Sequence, residues 1–279
     1  MRKLGLIAGG GSLPLEIAEH CRRIGRPFFV VRLKGFAEPA LGAYEGADVG
    51  LAELGKCLKT LRRAACQAVC LAGKVSRPDF AKLAPDLRGL AALPAVIAAA
   101  RKGDDALLRA LVGEFEKEGF AVEGAEAVAG ELGLPPGPLG RHAPCPEQLA
   151  DAHQALRVAR AIGRLDIGQA AVVCDGLVLA VEAQEGTDAM LGRVASLPAH
   201  LRGSEHDRRG ALAKAPKPIQ ETRVDLPTIG LATISRAAAA GLAGVAGEAG
   251  RLLVLDREQT IALADELGLF ILGVEPEGP

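Results

Sequence analysis

The stretch that decides the fold class is KLGLIAGGGSLPLEIAEHCRRIGRPFFVVRL, residues 3–33. Lys3–Ala8 is short and apolar, as expected of a buried strand, and it runs directly into three glycines. Leu13–Ile24 carries apolar residues at helical spacing, and Phe28–Leu33 has the composition of a second buried strand. Because a strand, a glycine turn, a helix and another strand form a βαβ unit, this stretch predicts a parallel sheet.

The same alternation continues through the first half of the chain. Gly55–Ala65 has helical spacing, Ala68–Ala72 has the composition of a strand, and Asp104–Gly119 is predicted to be a helix. Carboxylates in the first turn of this last helix suit the helix dipole. Strands that alternate with helices predict an α/β domain with a Rossmann-like parallel sheet.

A segment rich in proline and glycine divides the chain. Residues 132–140 hold three prolines and three glycines, a composition that excludes a helix or a central strand. We therefore predict an N-terminal Rossmann-like domain over residues 1–132, a linker over 133–140 and a C-terminal mixed α/β domain over 141–279.

The second half is predicted to mix strands and helices. An Asp-Gly pair between two apolar runs indicates a β-hairpin with a type I′ turn. The predicted elements, in chain order, are a helix at Pro146–Leu165, hairpin strands at Ala170–Cys174 and Leu177–Ala183, a strand at Ala211–Lys214, a helix from Ser235 to Glu248, a strand at Leu252–Leu255, a helix at Glu258–Leu267 and a strand at Phe270–Leu272.

The composition excludes several classes of protein. With 33 basic and 34 acidic side chains the net charge is -1, which gives no general attraction to nucleic acid or to an anionic membrane, so any anion site must be local. Aromatic residues are 3% of the chain, too few for the surfaces that stack on single strands. Six scattered cysteines without a CxxC pair are typical of reduced thiols in a cytoplasmic protein. Leu90–Ala100, the longest uncharged apolar run, is interrupted by Pro94 and is shorter than the roughly 20 residues that span a bilayer.

The glycine-rich turn after the first strand is a candidate phosphate-binding site. Glycine lets the backbone approach a phosphate, and the N–H groups and dipole at a helix start attract it. Gly10, Gly11, Ser12 and Leu13 would make this contact. The match to the dinucleotide fingerprint GxGxxG is partial, because Pro14 stands at its third glycine, so a purely structural turn remains the alternative.

Three further positions lie where α/β sheets bind ligands. Gly73 and Lys74 follow a predicted strand at its carboxyl end, although a solvated lysine would look the same. Asp104, at a helix start, could bind sugar hydroxyls or metal, or simply cap the helix. Arg32 ends the second strand, where NAD enzymes have an acidic residue, and this leaves an NADP-dependent reductase as a rival interpretation.

A polar turn follows the predicted hairpin. In the sequence VEAQEGTD, residues 181–188, three carboxylates, an amide and a hydroxyl surround a glycine. Gln184, Thr187 and Asp188 could therefore belong to a magnesium or phosphate site, because Mg²⁺ prefers oxygen ligands. Capping of the next helix by Thr187 or Asp188 is the alternative.

The most informative segment is KAPKPIQETRVDLPTIG, residues 214–230. Its three prolines exclude a continuous helix, so its polar groups are predicted to lie on a stiff loop. Pyrophosphate cleavage needs cations that neutralise the oxygens and a carboxylate that holds Mg²⁺ or orients water. The segment supplies both, with the cations Lys214, Lys217 and Arg223 and the carboxylates Glu221 and Asp225.

Five motifs together resemble a known family. IAGGGSLP (7–14), GDDALLR (103–109), DIGQAAVV (166–173), AVEAQEGTDAML (180–191) and KPIQETRVDLPTIG (217–230) are similar to the UDP-2,3-diacylglucosamine pyrophosphatases of lipid A biosynthesis. The resemblance is to the type unrelated to the metallophosphoesterases, and it covers nearly the whole chain. It implies Mg²⁺-dependent hydrolysis of UDP-2,3-diacylglucosamine to UMP and 2,3-diacylglucosamine 1-phosphate. It also implies that the substrate lies between two domains and that water attacks the sugar-side phosphorus.

The resemblance also implies roles for individual residues. By position, Asp225 would be the catalytic and metal-associated carboxylate of the C-terminal domain, and Asp188 of the polar turn is the second candidate metal ligand on its residue chemistry alone. Taken with the motifs above, the candidate substrate-binding residues are Gly10, Gly11, Ser12, Leu13, Gly73, Lys74, Asp104, Gln169, Gln184, Thr187, Asp188, Lys214, Arg223 and Thr228.

A sugar-lipid substrate needs an apolar surface as well as a phosphate site. Leu90–Ala100 and Ala237–Ala246 could line one, with ordinary core packing as the alternative for each. We expect a cytoplasmic protein that visits the cytoplasmic face of the inner membrane without crossing it. The sequence leaves a homodimer open, and it also leaves open a nucleotide-sugar or lipid-binding protein without turnover.

Overall fold

The computed structural model describes residues 1–76, 83–101, 104–217, 221 and 223–276. Contacts between Cα atoms divide the chain into two compact units. The first unit contains Met1–Gly130 together with Glu221–Asp225, and the second contains Glu131–Gln220 and Leu226–Pro279. The segment that carries Asp225 therefore folds with the N-terminal unit, although it lies late in the sequence.

The first unit is built on a five-stranded parallel sheet, as predicted. Its strands are β1 (Leu4–Ala8), β2 (Phe28–Leu33), β3 (Gly46–Val49), β4 (Ala68–Ala72) and β5 (Ala121–Val122), in the order β3-β2-β1-β4-β5. The helices are α1 (Leu13–Arg23), α2 (Leu54–Arg63), α3 (Leu87–Ala100), α4 (Asp104–Lys117) and α5 (Ala125–Val128). This strand order reverses direction between β1 and β4, and such a switch point is where open α/β sheets bind ligands.

The central strand of this sheet explains why the prediction succeeded. All five residues of β1 are buried, and its neighbours β2 and β4 pair with it from Leu4 onward. A continuous apolar run bounded by glycine is the pattern of a strand buried on both faces. Strand β3, with the sequence GADV, lacks that pattern and was not predicted.

The second unit contains a six-stranded mixed sheet in the order β6-β13-β11-β9-β7-β8. Its strands are β6 (Gly137–Leu139), β7 (Ala170–Cys174), β8 (Leu177–Val181), β9 (Ala211–Lys214), β11 (Gly244–Glu248) and β13 (Phe270–Val274), while β10 (Thr228–Ile229) and β12 (Leu253–Val254) pair separately. The helices are α6 (Pro146–Arg164), α7 (Gly186–Ala195), α8 (Leu231–Ala239) and α9 (Arg257–Leu267). The predicted mixed α/β class of the C-terminal half is confirmed.

The predicted hairpin is also confirmed, together with its turn. Asp175 and Gly176 have φ angles of 50° and 76°, as a type I′ turn requires. The buried Asp151 carboxylate of α6 accepts hydrogen bonds from the N–H groups of Asp175 and Gly176 at 2.9 and 2.8 Å. The turn is therefore fixed by a side chain as well as by its own sequence.

The single helix predicted from Ser235 to Glu248 is wrong. Helix α8 ends at Ala239, and residues 244–248 form the fully buried strand β11. Gly241 has a φ of +76°, and a Cβ atom there would lie 2.1 Å from the carbonyl oxygen of Gly203. The alanine- and glycine-rich sequence has no period that distinguishes a helix from a buried strand, so this break was missed.

Residues 137–139 form an edge strand where the sequence predicted a linker. They pair antiparallel with β13, and Leu134 is buried in the core of the second unit. Pro138 is tolerated because it lies on an edge strand, which has one side without ladder hydrogen bonds. The proline-rich segment is therefore part of the second sheet.

Candidate functional site

The two glycine-containing turns predicted to bind ligand meet at the switch point of the first sheet. Gly10 donates its N–H to the carbonyl of Lys74 at 2.9 Å, and the Lys74 N–H donates to the carbonyl of Gly10 at 2.8 Å. The turns follow β1 and β4, which are adjacent parallel strands, so their carboxyl ends lie side by side. Distant motifs are thus joined where ligands of open α/β sheets bind.

Several backbone N–H groups of the first turn donate hydrogen bonds to other groups of the protein. Gly9 donates to the Ala72 carbonyl at 2.8 Å, and Gly11 donates to the Glu38 carboxylate at 3.0 Å. The amide of Gly10 is likewise engaged by Lys74. Ser12, at the start of α1, makes no side-chain capping hydrogen bond, so the hydroxyl is not used for the helix. Phosphate contact at this turn remains a prediction, and its best-placed groups are those of Ser12 and Leu13.

Gly73→Ala is expected to destabilise the first unit. Gly73 has a φ of +93°, and a Cβ atom would lie 2.7 Å from the Gly10 carbonyl oxygen and 2.8 Å from the Pro14 ring. The left-handed backbone costs an alanine roughly 1–2 kcal/mol, and overpacking adds roughly 1–3 kcal/mol. Gly25→Ala is the matched control, because Gly25 has a φ of +68° with no atom within 4 Å of its Cβ position. Equal losses of unfolding free energy in the two variants, measured in urea, would show that the contact between the turns is unimportant.

Arg32, which suggested NADP, has a structural role. Its Nε donates to the Asp48 carboxylate at 2.7 Å, and its Nη1 donates to the Leu41 carbonyl at 3.3 Å. Asp48 lies on β3 directly opposite Arg32. Its hydrogen bond from Arg32 lowers the pKa of Asp48, so the pair stays ionised at neutral pH. The side chain joins β2 to β3. Arg32 therefore no longer supports the interpretation as an NADP-dependent reductase.

The segment that carries Asp225 packs against helix α4 of the first unit. The Glu221 N–H donates to the buried Asp105 carboxylate at 2.6 Å, and Val224 packs against the core of the same unit. Asp225 is half-buried, and its N–H donates to the Glu221 carbonyl at 3.3 Å. Contacts on both sides of Arg223 therefore fix the backbone that presents Asp225.

Arg223 is held by two carboxylates of this unit. Its Nε and Nη2 donate to the two oxygens of Glu221 at 2.8 Å each, and its Nη1 donates to Glu116 at 2.8 Å. The hydrogen bond from Arg223 lowers the pKa of Glu221, and the bonds to Glu221 and Glu116 raise the pKa of Arg223. Glu221 therefore remains an anion that orients Arg223. Substrate binding by Arg223 stays a prediction.

In the second unit, four predicted residues meet at one edge of the mixed sheet. Strand β7 runs antiparallel to β8 and β9, so the start of β7 lies beside the ends of the other two. This arrangement brings together Gln169 before β7, Glu182 after β8 and Lys214 at the end of β9. Thr187 in the first turn of α7 and Thr228 on β10 complete the group.

A chain of hydrogen bonds connects a buried lysine to a buried glutamate at this edge. The Lys214 Nζ donates to the Thr187 hydroxyl at 3.0 Å and to the Thr228 carbonyl at 3.1 Å. The Thr187 hydroxyl in turn donates to Glu182 Oε1 at 2.6 Å. Lys214 and Glu182 are each 6% exposed, so each charge compensates the other in a region that water does not reach.

Glu182 also fixes the predicted residue Gln169. The Gln169 N–H donates to Glu182 Oε2 at 3.0 Å, and the Gln169 carbonyl accepts the Ala215 N–H at 3.0 Å. The side-chain Oε1 of Gln169 is buried and has no hydrogen-bond partner among the described residues. Because buried acceptors are normally satisfied, this atom fits a donor from a bound ligand or an ordered water.

The remaining predicted residues are distributed differently. Gln184 is exposed, and Asp188 is exposed with Arg236 Nε 3.4 Å from its carboxylate. Lys217 pairs with Asp166 at 2.6 Å in the second unit. Asp104 is the first residue of α4, and its side chain lies outside what the structure describes.

The described carboxylates can hold Mg²⁺ in one of two ways, in a protein cage or together with substrate phosphates. No group of three or more His, Cys, Asp or Glu side chains among the described residues could hold a metal ion. The two predicted ligands belong to different units, Asp225 to the first and Asp188 to the second. Mg²⁺ in nucleotide enzymes is commonly held by one or two carboxylates together with substrate phosphates, so a carboxylate such as Asp225 fits this mode and not a preformed protein cage.

Two features bear on the membrane. No helix in the described ranges is long and apolar enough to cross a bilayer. Residues 237–246, one of the two predicted apolar surfaces, include the fully buried Ala237, Leu242 and Val245 and so belong to the core. The other, Leu90–Ala100, lies on α3, of which only Gly89 and Ala100 are buried.

Comparison with known proteins covers both units. Residues 3–132 match the model of the LpxI N-terminal domain, and residues 135–272 match the model of the LpxI C-terminal domain. The chain is 68% identical over 277 residues to the UDP-2,3-diacylglucosamine pyrophosphatase LpxI of Caulobacter vibrioides, with 99% of each chain covered.

Proposed function

Because the chain belongs to the LpxI family, we propose that it hydrolyses UDP-2,3-diacylglucosamine to UMP and 2,3-diacylglucosamine 1-phosphate. The observation that carries this proposal is similarity along the full length to a protein named for that activity. The proposal does not depend on a single motif, because the two family models match residues 3–132 and 135–272 and so cover nearly the whole chain. The enzyme would act on the cytoplasmic face of the inner membrane, where its substrate lies in the lipid.

Asp225 is the residue to which we assign the chemistry. The proposed reaction breaks the bond between the sugar-side phosphorus and the bridging oxygen, and UMP leaves with that oxygen. Asp225 would orient the attacking water and accept its proton. The network of Asp105, Glu221 and Arg223 holds the backbone before Asp225, which keeps the carboxylate in place at little entropic cost.

Magnesium is proposed as the cofactor. Bound by Asp225 and the diphosphate oxygens, it would neutralise charge that develops on the phosphate. Asp188 stays a predicted second ligand, and binding of substrate between the domains stays a prediction, as does a homodimer. The contribution of the second unit would come from Gln169, whose buried Oε1 needs a donor.

The direct test is turnover of the purified protein. We expect incubation with UDP-2,3-diacylglucosamine and Mg²⁺ to release UMP and 2,3-diacylglucosamine 1-phosphate, and excess chelator to stop the release, as followed by mass spectrometry. In ¹⁸O-labelled water the label should enter the sugar phosphate, because water attacks the sugar-side phosphorus. Binding of the substrate without any product would favour a non-catalytic binding protein. Turnover that resists chelation would remove magnesium from the proposal.

A further inference from the structure

Helix α3 exposes an apolar surface that the first unit leaves uncovered. It has 14 residues with the sequence LRGLAALPAVIAAA, in which Arg88 is the one charged residue. Leu87 is 89% exposed and Leu90 is 56% exposed. Single exposed leucines are common on protein surfaces, whereas contiguous exposed apolar surfaces usually mark a binding surface. We therefore infer that this face of α3 binds a partner outside the unit.

A groove of about 360 Å³ runs along the exposed side of α3. It is lined by Leu90, Leu93, Pro94, Ile97, Ala98 and Arg101. Residues 87–101 contain two arginines and no acidic residue, and Lys102 follows in the sequence. Arg88 is paired with Glu114 and Glu118 of α4, whereas Arg101 is exposed at the end of the apolar surface.

The opposite side of α3 is fixed to the unit. The Asp86 carboxylate accepts the Gly89 N–H at 2.8 Å and also the Lys56 and Gly55 N–H groups at the start of α2, at 2.8 and 3.2 Å. A Cβ atom on Gly89 would lie 2.1 Å from the carbonyl oxygen of Ala52. Because this side is anchored, the leucines on the other side are held outward and are not the frayed end of a loose helix.

We propose that α3 docks the protein on an anionic bilayer, with Leu87 and Leu90 in the interface and Arg101 beside lipid phosphates. The proposal rests on the proposed function, because acyl chains keep the substrate in a bilayer. A protein partner would need about one hydrogen bond per 100–200 Å² of interface, whereas the exposed side of α3 offers almost none. A lipid surface needs only apolar side chains beside a cation, and this helix presents its exposed leucines with Arg101 directly after its last residue.

The test compares vesicle binding of three forms of the full chain. The vesicles contain equal parts phosphatidylglycerol and phosphatidylcholine, and binding is measured by sedimentation. Leu87→Ser combined with Leu90→Ser is expected to lower the partition coefficient at least roughly tenfold, because burying one leucine is worth more than that factor. Leu177→Ser combined with Val178→Ser is the matched control, since these residues of β8 are 55% and 47% exposed and are expected to leave binding unchanged.

A charge variant tests the lipid class. Arg101→Glu is expected to weaken binding to the anionic vesicles and to leave the weaker binding to pure phosphatidylcholine unchanged. Wild-type protein that does not bind the anionic vesicles, or a leucine variant that binds them as wild type does, overturns the proposal.

Turnover of substrate dispersed in detergent separates docking from catalysis. The single variant Leu87→Ser, at a residue outside the predicted apolar lining Leu90–Ala100, should hydrolyse dispersed substrate at the wild-type rate, because docking is then unnecessary. A rise in KM for dispersed substrate equal to the loss of vesicle binding would make α3 an acyl-chain site and overturn surface docking. Vesicle binding through α3 by a protein that never releases UMP would instead overturn the proposed function and leave the docking surface intact.

Discussion

Asp225→Asn is expected to abolish UMP release while the protein remains folded. The amide has the shape of the carboxylate but can neither accept a proton from water nor neutralise a metal ion. Removing a charge that acts in the transition state typically costs roughly 10²–10³-fold in rate. The fold should persist because Glu221, Arg223 and Val224, which contact the first unit on the same segment, keep their side chains in this variant.

The measurement is single-turnover UMP release beside thermal unfolding followed by circular dichroism, since the chain has no Trp to report by fluorescence. Asp207→Asn is the matched control, because the Asp207 side chain is 74% exposed and pairs only at the surface with Arg209. It should retain full turnover. Stabilisation of the wild type by Mg²⁺ with a substrate analogue should also be absent in Asp225→Asn. Ordinary turnover by the Asp225 variant would remove the assigned mechanism.

The first sheet was predictable because its signal is local. Apolar runs such as Leu4–Ala8 and Ala68–Ala72, each bounded by turn residues, identify buried strands from sequence alone. The meeting of the Gly10 and Gly73 turns also follows, because adjacent parallel strands end at the same edge. The spacing of apolar residues and the turn residues that bound each run therefore determine most of the N-terminal architecture.

The second unit was harder to predict because small residues blur its pattern. Strand β11, with the sequence GVAGE, is fully buried, yet it follows alanines that continue the pattern of α8. A Cβ atom on Gly244 would lie 2.4 Å from the Phe270 ring, so this glycine is required by a neighbouring strand. Such a requirement is set by tertiary contact and has no local signature.

Glu182 shows the same limit within the candidate site. The sequence marked its turn as polar and selected Gln184, Thr187 and Asp188. Thr187 does join the hydrogen-bonded group, but Gln184 and Asp188 are exposed in the fold. Glu182 follows the strand β8 directly, and only the antiparallel order of β8, β7 and β9 places it near Lys214. A carboxylate directly after an apolar strand is the one signal that could have selected it.

Glu182→Gln is expected to destabilise the second unit strongly. The change removes the negative charge of a buried hydrogen-bonded chain that links Glu182 through Thr187 to Lys214. Losing a buried hydrogen bond to a charged group in this way costs roughly 1.5–3 kcal/mol of unfolding free energy. Hydrogen exchange read by mass spectrometry should show faster exchange at Gln169–Cys174 and at Ala211–Lys214, because both segments lose an anchor.

The matched control is Asp188→Asn, which removes an exposed carboxylate six residues later and should cost less than about 1 kcal/mol. A double variant, Glu182→Gln with Lys214→Met, decides whether charge compensation is the cause. In each single variant one of the two opposite charges is lost while the other stays buried, whereas the double variant removes both, so its loss of unfolding free energy should be smaller than the sum of the two. Additive losses would mean that Glu182 and Lys214 stabilise the sheet edge independently, through hydrogen bonds alone.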